Sequence, residues 1–239
     1  MSARRTLKNP AVLSYHTLRR SVGVIALSLP FVLAAGTIVL HLIGPSHALP
    51  QPLLQRSVSD YYYTPMGNYL IGSLGAIAAF LICSRGYDLA DEIAGYLAGI
   101  FTLGAALFPP VDPRTPLHTP LELRIQLVHT CFAALMFLTL AYFCLFLFRK
   151  SSPDVPLTRR KRHRNTIYLI CGEVIIASNL MMVAVTFFPI GLQFDSARPL
   201  LLSESLALAA FGVAWLTKGE VFLKDRHHNP VPILAAGSR

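Results

Sequence analysis

Residues 21–44 read SVGVIALSLPFVLAAGTIVLHLIG and contain no Asp, Glu, Lys or Arg. An α-helix needs about 20 apolar residues to cross the hydrocarbon core of a bilayer, so this stretch is long enough to span a membrane. Five comparable stretches follow. They run from Met66 to Cys83, from Leu89 to Pro109-Pro110, from Ile125 to Phe148, from Thr166 to Phe188 and from Leu200 to Thr217. The sequence therefore predicts an all-α polytopic membrane protein with six transmembrane helices in one bundle.

The composition agrees with a membrane protein. Hydrophobic residues make up 54% of the 239-residue chain and charged residues only 14%, whereas a soluble domain carries roughly 25% charged residues. A net charge of +9 is also found in nucleic-acid-binding proteins. Here the basic residues lie between the apolar stretches, so we expect no nucleic-acid partner. The expected partners are membrane lipids, and the sequence is compatible with a homo-oligomer.

The distribution of Lys and Arg predicts the orientation. Of the 21 basic residues, 17 lie before the first helix, between helices two and three, between helices four and five, or after the sixth. Because cytoplasmic segments carry the excess of Lys and Arg, both termini are expected in the cytosol. The predicted organisation is a basic cytosolic N-terminus over residues 1–20, a transmembrane domain over 21–220 and a cytosolic tail over 221–239.

Several polar residues fall at the same predicted depth. His129 and Glu204 each lie about one turn inside the outer end of a helix, Asn68 starts the second helix, and Asn179 lies just beyond the middle of the fifth. The outward loop SDYYYT over residues 59–64 lies on the same face. Polar side chains at membrane depth are costly and usually face the bundle interior. The candidate ligand-binding residues are Ser59, Asp60, Tyr62, Thr64, Asn68, His129, Asn179 and Glu204.

The chemistry of this outer cluster stays open at the level of sequence. A histidine beside a carboxylate is a workable acid–base pair, which makes His129, Glu204 and Asp60 the candidate catalytic residues. The same pair is equally a workable structural hydrogen bond, and the aromatic run from Tyr61 to Tyr63 equally suits an interfacial anchor. The chain contains no GxSxG, HExxH, P-loop or GxGxxG motif, so neither a cofactor nor a metal site is predicted.

A second polar group lies toward the cytosolic side. Arg85, Asp88, Asp91 and Glu92 flank the short turn between helices two and three, where a solvated or ion-paired turn is expected. Glu173 lies about two turns into the fifth helix and would need a partner or a neutral state.

Three short motifs resemble a known family. The loop Ser57-Val58-Ser59-Asp60-Tyr61-Tyr62, the helix-four pattern His129-x-x-x-Ala133-x-x-x-Phe137 and the pair Ser203-Glu204 are similar to bacterial membrane proteins grouped as domain of unknown function 998. They are more distantly similar to the Frag/DRAM/Sfk-type six-helix proteins. The resemblance implies a multi-pass protein of the bacterial inner membrane and a role connected with lipids. The positions shared with the family are Ser59, Asp60, Thr64, His129 and Glu204.

Three functions follow as alternatives. The first is binding of a lipid or amphiphile in a polar cavity of the outer leaflet. The second is a membrane lipid-modifying enzyme, working by acyl transfer or by metal-assisted hydrolysis, to which His41 could add a further group. The third is a transporter or channel subunit, although discontinuous helix pairs are not evident.

Overall fold

The computed structural model describes residues 10–44, 52–84, 88–151, 158–188 and 197–221. Within these ranges the chain is helical and contains no β-strand. Its α-helices are α1 (Pro10–Ile43), α2 (Gly67–Cys83), α3 (Leu89–Leu107), α4 (Pro120–Tyr142), α5 (Arg159–Phe187) and α6 (Pro199–Lys218). A short 3-10 helix, Ser59–Tyr63, precedes α2, and a π-helical turn, Phe143–Leu147, continues α4.

Length and composition make the chain a multi-pass membrane protein. Five helical segments are long and apolar enough to cross a bilayer: Thr17–Ile43, Leu89–Leu107, Pro120–Leu147, Arg159–Phe187 and Pro199–Lys218. The remaining helix, α2, is also apolar but has only 17 residues. At 1.5 Å per residue it extends about 25 Å, somewhat less than a typical hydrocarbon core.

The helices pack as a closed ring in chain order. Each helix contacts the next, and α6 returns to α1. Helices α1 and α6 approach closely at Gly23 and Gly212, where a Cβ on either glycine would press on the carbonyl of the other. Small residues at such crossings let helix backbones approach in a membrane. The interior between the helices holds Leu29, Leu33 and Phe211, all fully buried.

Helix starts follow local capping rules. Asp88 accepts the backbone N–H of Asp91 at the start of α3, and Thr158 accepts that of Lys161 at the start of α5. At the start of α4, Thr119 and Glu122 form a reciprocal capping box. Because Thr158 is the cap, α5 begins at Arg159, seven residues before the predicted start at Thr166. The basic residues from 159 to 164, which were predicted to lie between helices four and five, are therefore helical.

Candidate functional site

The loop before α2 is fastened to one end of the bundle, called here the loop end. The Leu201 N–H donates to the carbonyl oxygen of Arg56 at 2.9 Å, which ties the loop to the first turn of α6. The Tyr63 hydroxyl donates to the carbonyl oxygen of Pro110 at 2.5 Å, which ties it to the segment after α3. The Thr64 hydroxyl donates to the carbonyl oxygen of Tyr61 at 2.8 Å and closes the 3-10 helix. The loop is therefore a fixed part of the site.

Glu204 holds the start of the 3-10 helix. Its Oε2 accepts the backbone N–H of Val58 and, at 3.2 Å, the N–H of Ser59. The first N–H groups of a helix have no partner within the helix, and a carboxylate there satisfies them. A side chain from the first turns of α6 thus places Ser59 against the bundle interior.

His129 contacts the other side of Ser59. The imidazole is 6% exposed. Its Nδ1 lies 2.7 Å from the carbonyl oxygen of Phe108 and its Nε2 lies 3.1 Å from Ser59 Oγ. A carbonyl oxygen can only accept, so Nδ1 carries the hydrogen. In the neutral imidazole Nε2 is then an acceptor, and the Ser59 hydroxyl donates to it.

These polar groups border a cavity inside the bundle. The space between its walls, including the part that is open to the surroundings, is about 530 Å³. Residues of α1, α2, α3, α4, α6 and the two neighbouring loops line it. The polar groups of Ser59, His129 and Glu204 are surrounded by apolar walls that include Leu74, Met136, Phe137 and Leu208. Apolar walls with a few convergent polar groups are typical of small-molecule sites.

The predicted site residues fall into two groups. Ser59, Tyr62, His129 and Glu204 line the cavity. The others do not: Asp60 and Thr64 belong to the same loop, Asn68 is exposed on α2, and Asn179 donates to the carbonyl oxygen of Ala134 at 3.4 Å, joining α5 to α4. His41 is half-buried at the end of α1 and is also not among the lining residues.

Asp60 lies beside the cavity in an unfavourable setting for a charge. Burial raises the pKa of its carboxyl to about 6, although the Ser57 side chain and the charge of Arg56 act in the opposite direction. The Asp60 backbone N–H donates to Ser57 Oγ at 2.9 Å. Asp60 therefore belongs to the structure of the loop, where it titrates above the usual range of an aspartate.

The second polar group contains an ion-paired turn. Lys150 Nζ, after the π-helical turn, lies 2.8 Å from Asp88 Oδ2 and 2.5 Å from Asp91 Oδ1. These contacts lower the pKa of Asp88 and raise that of Lys150. The ion-paired alternative is thus found for Asp88 and Asp91, while Arg85 lies outside the described residues. Glu173 is exposed on α5.

Two backbone groups of the site could not be predicted from the pattern of side chains in the sequence. The carbonyl oxygen of Phe108 and the N–H of Val58 are backbone groups, which carry no sequence signal of their own. The apolar wall did have a signal: His129, Ala133, Met136 and Phe137 recur at helical spacing on one face of α4. Among the described residues, no group of three or more His, Cys, Asp or Glu side chains could hold a metal ion.

The fold and the cavity define a multi-pass helical membrane protein with a partly polar internal cavity. Comparison with known proteins gave no match among family models, curated proteins or solved structures. The resemblance to the domain of unknown function 998 group stays a prediction.

Proposed function

We propose that the protein binds a lipid or another single-chain amphiphile, with its acyl chain in the cavity and its polar part at Ser59, His129 and Glu204. The observation that carries this proposal is the placement of three polar side chains at one end of an otherwise apolar cavity. An amphiphile likewise has a polar group at one end and an apolar chain. Each buried CH₂ group contributes about 0.8 kcal/mol relative to water, and the Ser59 hydroxyl oxygen can accept a hydrogen bond from a headgroup while its hydrogen is donated to His129.

The proposal includes the membrane arrangement. All six helices would span the inner membrane of a bacterium, with both termini in the cytosol, and the loop end would lie in the outer leaflet. The closed ring supports six spans, because α2 packs between α1 and α3 as the other helices pack between their neighbours. The 17-residue α2 would cross with flanking residues at both interfaces. Reporter fusions after residues 151 and 221 should both report a cytosolic location.

Binding is tested by filling the cavity. Ala133 lies in its wall on α4, and Ala133→Phe adds a ring where the acyl chain would lie. Ala177 is exposed on α5, so Ala177→Phe is a matched control on the outer surface. Lipids extracted from the purified proteins are quantified by mass spectrometry per mole of chain. We expect Ala133→Phe to lose at least three-quarters of a specific co-purified lipid, and Ala177→Phe to retain it.

Two results would contradict lipid binding. One is a parent protein that retains no lipid beyond the bulk composition of the membrane after extensive detergent washing. The other is equal lipid content in the two phenylalanine variants when both elute as the parent does in size-exclusion chromatography.

A further inference from the structure

We propose that Ser59 is a nucleophile, activated by His129, that accepts the acyl group of an ester-bearing amphiphile bound in the cavity. This inference rests on the proposed function, because the acyl chain must first lie in the cavity. It goes beyond that function by assigning a covalent step to Ser59, and it makes the protein an acyl-transferring or ester-cleaving enzyme.

The hydrogen bonds around His129 favour this role. Phe108 fixes the hydrogen on Nδ1, which leaves the Nε2 lone pair directed at Ser59 Oγ, 3.1 Å away. This is the tautomer that a general base needs in order to take a proton from serine. When the imidazole becomes charged, the carbonyl oxygen of Phe108 at 2.7 Å stabilises the positive charge on the opposite nitrogen.

The position of Ser59 also suits an acyl acceptor. Both Ser59 and His129 line the cavity beside the apolar side chains of Met136 and Leu208. An acyl chain lying along these side chains would bring its carboxyl end to the polar end of the cavity, within reach of Ser59. Such positioning, and the exclusion of water by the apolar walls, contribute a large part of the acceleration in acyl-transfer enzymes.

The step is balanced without a cofactor. Ser59 Oγ attacks the carbonyl carbon of the ester, and the hydroxyl proton passes to His129 Nε2. The bond from the carbonyl carbon to the alcohol oxygen then breaks, and the alcohol leaves with the proton from Nε2. The acyl group remains on Ser59 as an ester. Water or a second alcohol next attacks this ester and gives its proton to Nε2. The bond from the carbonyl carbon to Ser59 Oγ then breaks, Ser59 takes that proton from Nε2, and the acyl group leaves as a carboxylic acid or as a new ester.

Glu204 is the positioning residue of this arrangement. The N–H groups of Ser59 itself and of the preceding residue, Val58, both donate to Glu204 Oε2. An oxyanion at that place would receive the same two hydrogen bonds. In the unreacted protein, Glu204 holds the backbone of Ser59 so that its hydroxyl contacts His129. For acylation, the Glu204 side chain must turn away from the two amides so that they can bind the oxyanion.

A fluorophosphonate probe tests the nucleophile directly. Serine attack on its phosphorus displaces fluoride and leaves a stable phosphonyl ester of known mass. The full chain, purified in detergent, is incubated with the probe, and the labelled residue is located by peptide mapping. We expect one adduct, on Ser59. Ser59→Ala should abolish labelling, and His129→Gln, which cannot take up the proton, should slow it at least about 100-fold.

Matched controls separate chemistry from folding. Ser203 lies next to Glu204, but its hydroxyl donates within α6 to the carbonyl oxygen of Pro199, so Ser203→Ala should be labelled at the parent rate. Mapping the adduct on the parent protein gives a result even where a variant fails to fold. An unlabelled Ser59 in a folded parent that retains its specific lipid would overturn the nucleophile and leave lipid binding intact. Loss of both findings would overturn both proposals.

Discussion

Glu204 on α6 accepts the backbone N–H of Val58, a residue 146 positions earlier in the chain. This contact fastens the loop before α2 to the last helix and closes the loop end of the bundle around the cavity. A long-range contact to a backbone amide gives the Glu204 carboxylate a partner within a helix that is long and apolar enough to cross a membrane.

The first prediction concerns this contact. Glu204→Leu leaves two N–H groups without their acceptor and should lower the free energy of unfolding by about 1–3 kcal/mol. Glu204→Gln keeps an acceptor oxygen and should lose much less. Thermal unfolding of the purified variants in one detergent compares them. Equal unfolding temperatures for the two variants would show that the cap contributes nothing to stability.

Features that depend on a single stretch of sequence were easier to predict than features that depend on contacts between distant stretches. The apolar stretches predicted the helices because the cost of exposing backbone polar groups to lipid applies to each stretch separately. The direction of each polar side chain was harder to predict. Glu173 and Glu204 are both carboxylates within apolar helices, yet Glu173 is exposed while Glu204 lines the cavity. In a membrane helix, the side that faces lipid is as apolar as the side that packs on other helices. The alternation of apolar and polar residues that identifies the buried side of a soluble helix is therefore missing.

The second prediction concerns pH. Burial raises the pKa of Asp60 to about 6 from its ordinary 3.8. Between these values the folded chain holds a proton that the unfolded chain has released, so the free energy of unfolding should fall as the pH rises from roughly 4 to 6. Asp60→Asn should remove this fall and, above pH 6, make the protein more stable by at most about 3 kcal/mol. Unfolding temperatures at pH 4.5 and 7.5 measure the difference, and parallel pH profiles of parent and variant would contradict the assignment.

The third prediction concerns the ion-paired turn at the opposite end. The Asp91 side chain is 7% exposed and pairs with Lys150. Lys150→Met removes this cation and should cost about 1–3 kcal/mol, because the Asp91 carboxylate then loses a charged partner. Arg149→Met is the control, since Arg149 is exposed and, among the described residues, its side chain donates to the carbonyl oxygen of Leu145, four positions earlier.

A double variant distinguishes the ion pair from a general effect of losing the lysine. Adding Asp91→Asn to Lys150→Met removes the charge that has lost its Lys150 contact and should recover part of the lost stability. A double variant that is less stable than the sum of the two single changes would contradict the pairing.

The fourth prediction concerns the outer surface of α5. Glu173 is exposed between Ile170 and Ala177, which are exposed on the same face. A charge-capable side chain at the centre of a membrane helix costs about 2.5–3.5 kcal/mol when it meets hydrocarbon. Glu173→Leu should therefore raise the unfolding temperature in lipid nanodiscs, while Ala177→Leu on the same face should leave it unchanged. Light scattering shows whether each variant keeps the parent's number of subunits. If Glu173→Leu lowers both the stability and the number of subunits, Glu173 contacts a second copy of the chain and does not face lipid.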